Sequence, residues 1–173
     1  NPMLYPKAKK SKALVSHVDF LPTMASLFNV PNDHTADWQG VDYSQVVLDP
    51  NVEGPQDYTV FTYDDYQSGQ PDPPYPHGAT HIASIREKRY KLAKYFWVES
   101  DDLRGEQNPQ VPDELEMYDL KKDKLETKNI AWPTFKRSKN QQKQLDRLTA
   151  KLAEVEHDRL QPLNAAARKG KKR

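Results

Sequence analysis

Ile82-Ala83-Ser84-Ile85-Arg86-Glu87-Lys88-Arg89-Tyr90-Lys91-Leu92-Ala93-Lys94-Tyr95-Phe96 is the stretch whose reading decides the fold. Ile82 to Arg86 and Tyr90 to Phe96 read as two strands, joined by a tight hairpin at Glu87-Lys88. Leu115-Glu116-Met117-Tyr118-Asp119-Leu120 reads as a third strand of the same sheet, closed by a charged turn. Upstream, Tyr58-Thr59-Val60-Phe61-Thr62-Tyr63 is rich in β-branched and aromatic residues, a strand signal that ends at Asp64-Asp65. The segments between are punctuated differently. Gln67 to Gly78 holds four prolines and two glycines, which predicts an irregular loop, and Trp97 to Pro112 is a second polar loop.

The period changes at both ends of this sheet region. From Ser138 onward Leu145, Leu148, Leu152 and Val155 recur at helical spacing on a charged background, predicting a helix with one apolar seam that stops at Pro162. Near the start, Ala13 to Val18 is a short apolar run leading to Asp19, an N-cap candidate, with Pro22 in the first turn. Leu21, Met24, Ala25, Leu27 and Phe28 would form the apolar face of that helix. Asn29 would take the left-handed position at its end, before Pro31. Residues 32–55 are polar and rich in turns, with Gln39-Gly40-Val41 as one of them and Trp38, Val41, Tyr43, Val46, Val47 and Leu48 as anchors.

Composition narrows the class. At 173 residues with 36% hydrophobic content, a mean hydropathy of -0.97 and 14 prolines, the chain holds a modest core under long connections and has no room for two large domains. No apolar run approaches the roughly 20 residues that span a bilayer. The absence of cysteine excludes disulfides, thiolate metal sites and a cysteine nucleophile. Charge is uneven: residues 136–173 carry 12 basic and 4 acidic side chains, a net +8, and the remainder carries 14 against 21, a net -7. Asn1-Pro2-Met3-Leu4-Tyr5-Pro6 is extended and apolar, and it reads as the interior of a longer polypeptide.

Three segments together resemble sulfatases of the alkaline-phosphatase superfamily. Leu14-Val15-Ser16-His17-Val18-Asp19-Phe20-Leu21-Pro22-Thr23, with Trp38 to Ser44 after it, is similar to a valine-serine-x-valine-aspartate signature and its glycine-centred turn. Ile85 to Leu92 is similar to the family's isoleucine-arginine … tyrosine-lysine hairpin. Met117 to Asp123, with Glu126 and Asn129-Ile130-Ala131, resembles the family's tyrosine-aspartate-leucine ending. Lys124 stands where the family often has proline, and Asn29 where a glycine often closes the helix.

The resemblance implies an α/β fold in four parts. Residues 1–50 would be the last elements of the sulfatase α/β domain, and residues 51–135 a small antiparallel-sheet subdomain. Residues 136–162 would form a packed helix and residues 163–173 a basic, disordered tail. It further implies hydrolysis of a sulfate ester, either a sulfated small molecule or a glycan. A formylglycine nucleophile and a divalent cation, calcium by family habit, would be held by polypeptide upstream of residue 1, because no Cys/Ser-x-Pro-Ser-Arg motif occurs here. This chain alone would then be inactive, with no catalytic residue and no metal ligand of its own. Its contribution would be fold completion and a substrate rim, for which Tyr63, Asp64, Asp65, Tyr66, His77 and His81 are the candidates.

Other readings of the same residues stand beside these. His81 also reads as an exposed histidine opening a strand, Asp64-Asp65 as an acidic loop edge, and His17 as a packed or capping side chain; His34 and His157 read as surface residues. Pro76 and Gly78 argue against a metal pair from His77 and His81. From a different class comes a polyanion-binding module built on the basic end, though no specific nucleic-acid motif is present. An interaction module that pairs through the Leu145 to Val155 seam is a third reading. The family resemblance allows a periplasmic or secreted location, and no signal lies in this chain.

Overall fold

The computed structural model describes residues 9–35, 38–64, 81–96 and 112–159. Both long loops, apart from Pro112, fall outside this set, as do the tail at 163–173 and Asp65, Tyr66 and His77. The chain divides into two units, Asn1–Val60 and Phe61–Arg173.

In the first unit a 3-10 turn, His17–Asp19, runs into helix α1, Phe20–Leu27. Asn29 adopts φ 54° as expected, and Val30 N–H closes the helix on the Ala25 carbonyl at 2.9 Å. Two expectations about α1 are corrected. Asp19 holds the N-cap position, yet its carboxylate makes no capping bond to the helix. The apolar face is also turned: Leu21 and Phe28 are 59% and 71% exposed, while Thr23 and Ala25 are buried. The cause is the Thr23 hydroxyl, which donates to the Asp19 carbonyl at 2.7 Å and accepts from Tyr43 N–H at 3.0 Å, drawing that side of α1 inward. The polar stretch after α1 is more regular than its composition predicts, with a 3-10 turn at Asn32–His34 and a short helix α2, Ser44–Leu48. Gly40 is required where it stands, because a Cβ there would lie 2.0 Å from the Val18 carbonyl oxygen.

The second unit is a sheet with a helix on it. Strands β1 (Tyr58–Asp64), β2 (His81–Glu87), β3 (Tyr90–Phe96) and β4 (Glu114–Asp119) lie in the order β1-β2-β3-β4; of β1, residues 61–64 belong to this unit. β2 and β3 pair antiparallel with Ile85 opposite Leu92, and β3 pairs β4 with Leu92 opposite Met117. The turn between β2 and β3 is therefore Lys88-Arg89, one residue later than expected. Ile85, Leu92 and Met117 form a fully buried row across three strands. Such a row follows from period-2 alternation once the register is set.

Helix α3, Lys139–Arg159, covers this row with its seam: Leu145, Leu148, Leu152 and Val155 are all buried, and the helix packs on β2 and β3. The seam is consumed within the chain, which removes the reading of α3 as a free pairing helix. Its start is set by a reciprocal cap, with Gln141 N–H on the Ser138 hydroxyl at 3.2 Å and Ser138 N–H on the Gln141 side-chain carbonyl at 2.8 Å. Three ion pairs among the described residues hold it to the sheet, one of them between Lys151 and Glu87 at 3.6 Å. Arg147 grips Glu87 with both guanidinium arms at 2.8 and 2.7 Å, and Lys94 reaches Glu156. The Arg147 hydrogen bonds hold the Glu87 carboxyl below its ordinary range despite partial burial.

Candidate functional site

The residues that carry the sulfatase resemblance act first as a scaffold. Asp19 is almost wholly buried, and its carboxylate accepts from Ser16 N–H at 2.7 Å, Val41 N–H at 2.8 Å and the Gln56 side-chain amide at 2.7 Å. A buried carboxylate with that many donors ties three separated stretches of the first unit together. In the hairpin, Arg89 forms a two-armed pair with Asp119 at 3.1 and 2.9 Å, which holds the Asp119 carboxyl below its ordinary range. Lys91 meets Glu126 at 2.6 Å, and Glu126 stands at φ 56°.

The ending is equally structural. Asp123 accepts from the N–H groups of Lys128 and Thr127, at 2.8 and 2.9 Å, and these bonds lower its pKa. The Asn129 side chain prolongs the sheet: it accepts from Met117 N–H at 3.0 Å and donates to the Leu115 carbonyl at 3.0 Å, occupying the outer edge of β4. Tyr95 donates to Glu116 at 3.0 Å, and burial, with Glu116 adding to it, pushes both Tyr95 and Tyr118 up to about 12.

The rim candidates that can be described lie at the end of β1 and the start of β2, where Asp64 meets His81 and Tyr63 takes the other side of the strand. Tyr63 and Asp64 are exposed, and His81 is 3% exposed, so it is not the surface histidine that its place at a strand start allowed. Register explains the burial. His81 pairs with Phe96 across the sheet, and the two rings stack with centroids 5.1 Å apart. Lys94 lies over the same Phe96 ring at 4.9 Å. The His81 Nε2 is 3.8 Å from Asp64 Oδ1, so a buried imidazole backs an exposed carboxylate. Asp65, Tyr66 and His77 lie outside the described residues. Phe96 and Lys94 escaped sequence reading as parts of this cluster, although their place on the same side of the strand as the apolar Leu92 was the available signal. Of the other histidines, His17 is exposed rather than packed, and His34 and His157 are at the surface as expected.

Whether these residues fit the divalent cation implied by the resemblance can be tested on their chemistry. Among the described residues no three His, Asp or Glu side chains gather in a way that could hold a metal ion. Asp64 and His81 are a pair, one short of a minimal set. No described helix is long and apolar enough to cross a membrane.

Fold and cluster together define a mixed α/β chain in which a four-stranded antiparallel meander carries one packed helix, with its exposed polar end at β1. That architecture is found in solved sulfatase structures. BT4656, solved in complex with its substrate D-glucosamine-2-N,6-O-disulfate, is 26% identical to the chain, with a TM-score of 0.55 over 88% of it. A candidate sulfatase from Bacteroides thetaiotaomicron VPI-5482 is 24% identical with a TM-score of 0.51 over 80%. BT1596, a 2-O GAG sulfatase, gives 24% and 0.49. The chain spans about a quarter of the length of each, 24 to 27%. Neither a protein-family model nor a curated protein sequence matches it. The resemblance carried by the three segments is thus supported by structure as well as by motif: the chain has the fold of a portion of these solved sulfatases.

Proposed function

We propose that the chain is the C-terminal portion of a sulfuric ester hydrolase acting on a sulfated saccharide. In this reading it completes the fold and supplies a substrate rim, while the formylglycine nucleophile and the divalent cation, calcium by the family's habit, are held by polypeptide upstream. The observation that carries the reading is the likeness to BT4656 over 88% of the chain, since that protein was solved with a sulfated glucosamine as its substrate. The scaffold role of Asp19, Arg89, Asp119 and Asn129 supports it: motif residues with structural partners fit a portion whose chemistry is done elsewhere. So does the outward apolar surface of Val18, Phe20, Leu21 and Phe28, which suits a unit that finishes a larger domain. Tyr63 and Asp64 are the exposed rim groups, with His81 behind Asp64. Asp65, Tyr66 and His77 complete the proposed rim.

The test compares purified 1–173 with the polypeptide read in frame from further upstream in its gene, on a panel of sulfate esters with and without Ca²⁺. Hydrolysis by the longer protein alone is expected. Turnover by 1–173, or an upstream frame without a Cys/Ser-x-Pro-Ser-Arg motif, would overturn the reading.

A further inference from the structure

The last residues of β1, Phe61 to Asp64, are all exposed. Alternation along a strand sends Asp64 to one side of the sheet and Phe61 with Tyr63 to the other. Asp64 meets His81, whose partner Phe96 shares its side with Lys94, and Lys94 binds Glu156 of α3. Phe61 and Tyr63 therefore face away from α3. On that side β2 presents Ile82, Ser84 and Arg86. The Ser84 hydroxyl donates to the Phe61 carbonyl at 3.4 Å, which sets Phe61 beside Ser84 and leaves Arg86 two residues further along β2.

Two features of this strip are unusual for a sheet surface. Phe61 is 60% exposed and Tyr63 43%, two aromatic side chains on one side of an edge strand. Arg86 is exposed and has no carboxylate partner among the described residues, whereas Glu87, Arg89 and Lys91 around it are each in an ion pair. A guanidinium with no carboxylate among the described residues, beside exposed aromatic faces, is a recognition chemistry, not a packing one.

We propose that Phe61, Tyr63 and Arg86 form a strip that binds a sulfated saccharide, which rests on the substrate class proposed above. Side chains two apart on a strand are roughly 6.7 Å from one another, enough for the two rings to underlie one pyranose and its linkage. The C–H face of the sugar lies on the aromatic rings. The planar fork of Arg86 takes two oxygens of a sulfate group. Charge favours this occupant over a second copy of the chain, because a two-fold contact through the strip would bring Arg86 against its own equivalent.

Calorimetric titration of the 173-residue chain tests the strip with three probes: D-glucosamine-2-N,6-O-disulfate, N-acetyl-D-glucosamine and inorganic sulfate. Arg86→Gln is expected to weaken the disulfate about tenfold and leave N-acetylglucosamine unchanged, the size of one charge-assisted contact. Phe61→Ala should weaken both saccharides and spare sulfate, and Phe61→Trp, which keeps an aromatic face, should retain both if the alanine variant melts early. Disulfate binding indifferent to all three variants, no binding at all, or a dimer split by Phe61→Ala would overturn the strip. The hydrolysis assay on the longer polypeptide separates the two ideas. Turnover of a sulfated saccharide with KM unmoved by Arg86→Gln and Phe61→Ala defeats the strip alone. Strip binding in a protein that hydrolyses no sulfate ester upholds the strip and defeats the enzymatic reading.

Discussion

Leu148, within α3, and Phe28, at the C-terminal cap of α1, are both large apolar side chains, but one is fully buried and the other largely exposed. The difference separates the two units. Residues 61–173 close a core of their own, in which Ile85, Leu92 and Met117 are fully buried and the α3 seam packs on β2 and β3. In residues 1–60 the organising element is a buried carboxylate, and several of the larger apolar groups point outward. Burial of apolar surface is non-directional and tolerates variation, whereas a buried carboxylate depends on every donor being in place. One unit is stabilised by area, the other by geometry.

The largest expected effect tests that contrast directly. Leu148→Ala should destabilise the second unit by about 3–5 kcal/mol through cavity formation, while Phe28→Ala changes the 173-residue chain by less than about 0.5 kcal/mol. Urea midpoints report both, and comparable losses would abolish the distinction. Next comes Asp19→Ala, expected to destabilise by about 2–3 kcal/mol because charge-assisted bonds from Ser16, Val41 and Gln56 are lost together. Amide exchange should then accelerate at Ser16 and Val41 and stay protected at Leu92. Acceleration throughout would mean that the hub serves both units.

Two smaller effects sharpen the second unit by pH. The folded chain holds the phenolic protons of Tyr95 and Tyr118 up to about 12, whereas in the unfolded chain they leave near about 10. Their stabilising contribution is whole below about pH 10 and is lost as pH rises towards about 12. Tyr95→Phe should reduce that alkaline loss, measured as the change in urea midpoint between pH 9 and 11. At the acid side Glu87 is depressed by Arg147, so its contribution is whole above the ordinary carboxylate range and disappears as pH falls through the depressed value. Since Arg147 is partly in solvent, Glu87→Gln should be worth only about 0.5 kcal/mol near neutrality and nothing at pH 2, a difference read from midpoints at the two pH values.

What the sequence determined by itself was whatever repeats at short range. The β2–β3 hairpin, the third strand at 115–120 and the seam of α3 are written in periods of two and of three to four, because neighbouring side chains on one face must share an environment. Asn29 was legible for a similar reason, since a short polar residue before proline suits the left-handed end of a helix. The tertiary structure alone decided where single polar groups found their partners. Asp19 looked like a local cap, but beside the nearby Ser16 N–H two of its donors come from positions 22 and 37 residues away, and no local pattern encodes such a distance. The burial of His81 depended on pairing with Phe96, and the freedom of Arg86 on its neighbours Glu87 and Arg89 being claimed by α3 and β4. Periodicity states which face is apolar. It cannot state which atom from a remote stretch will arrive to meet a charge, and that arrival separates a scaffold residue here from one left open to a ligand.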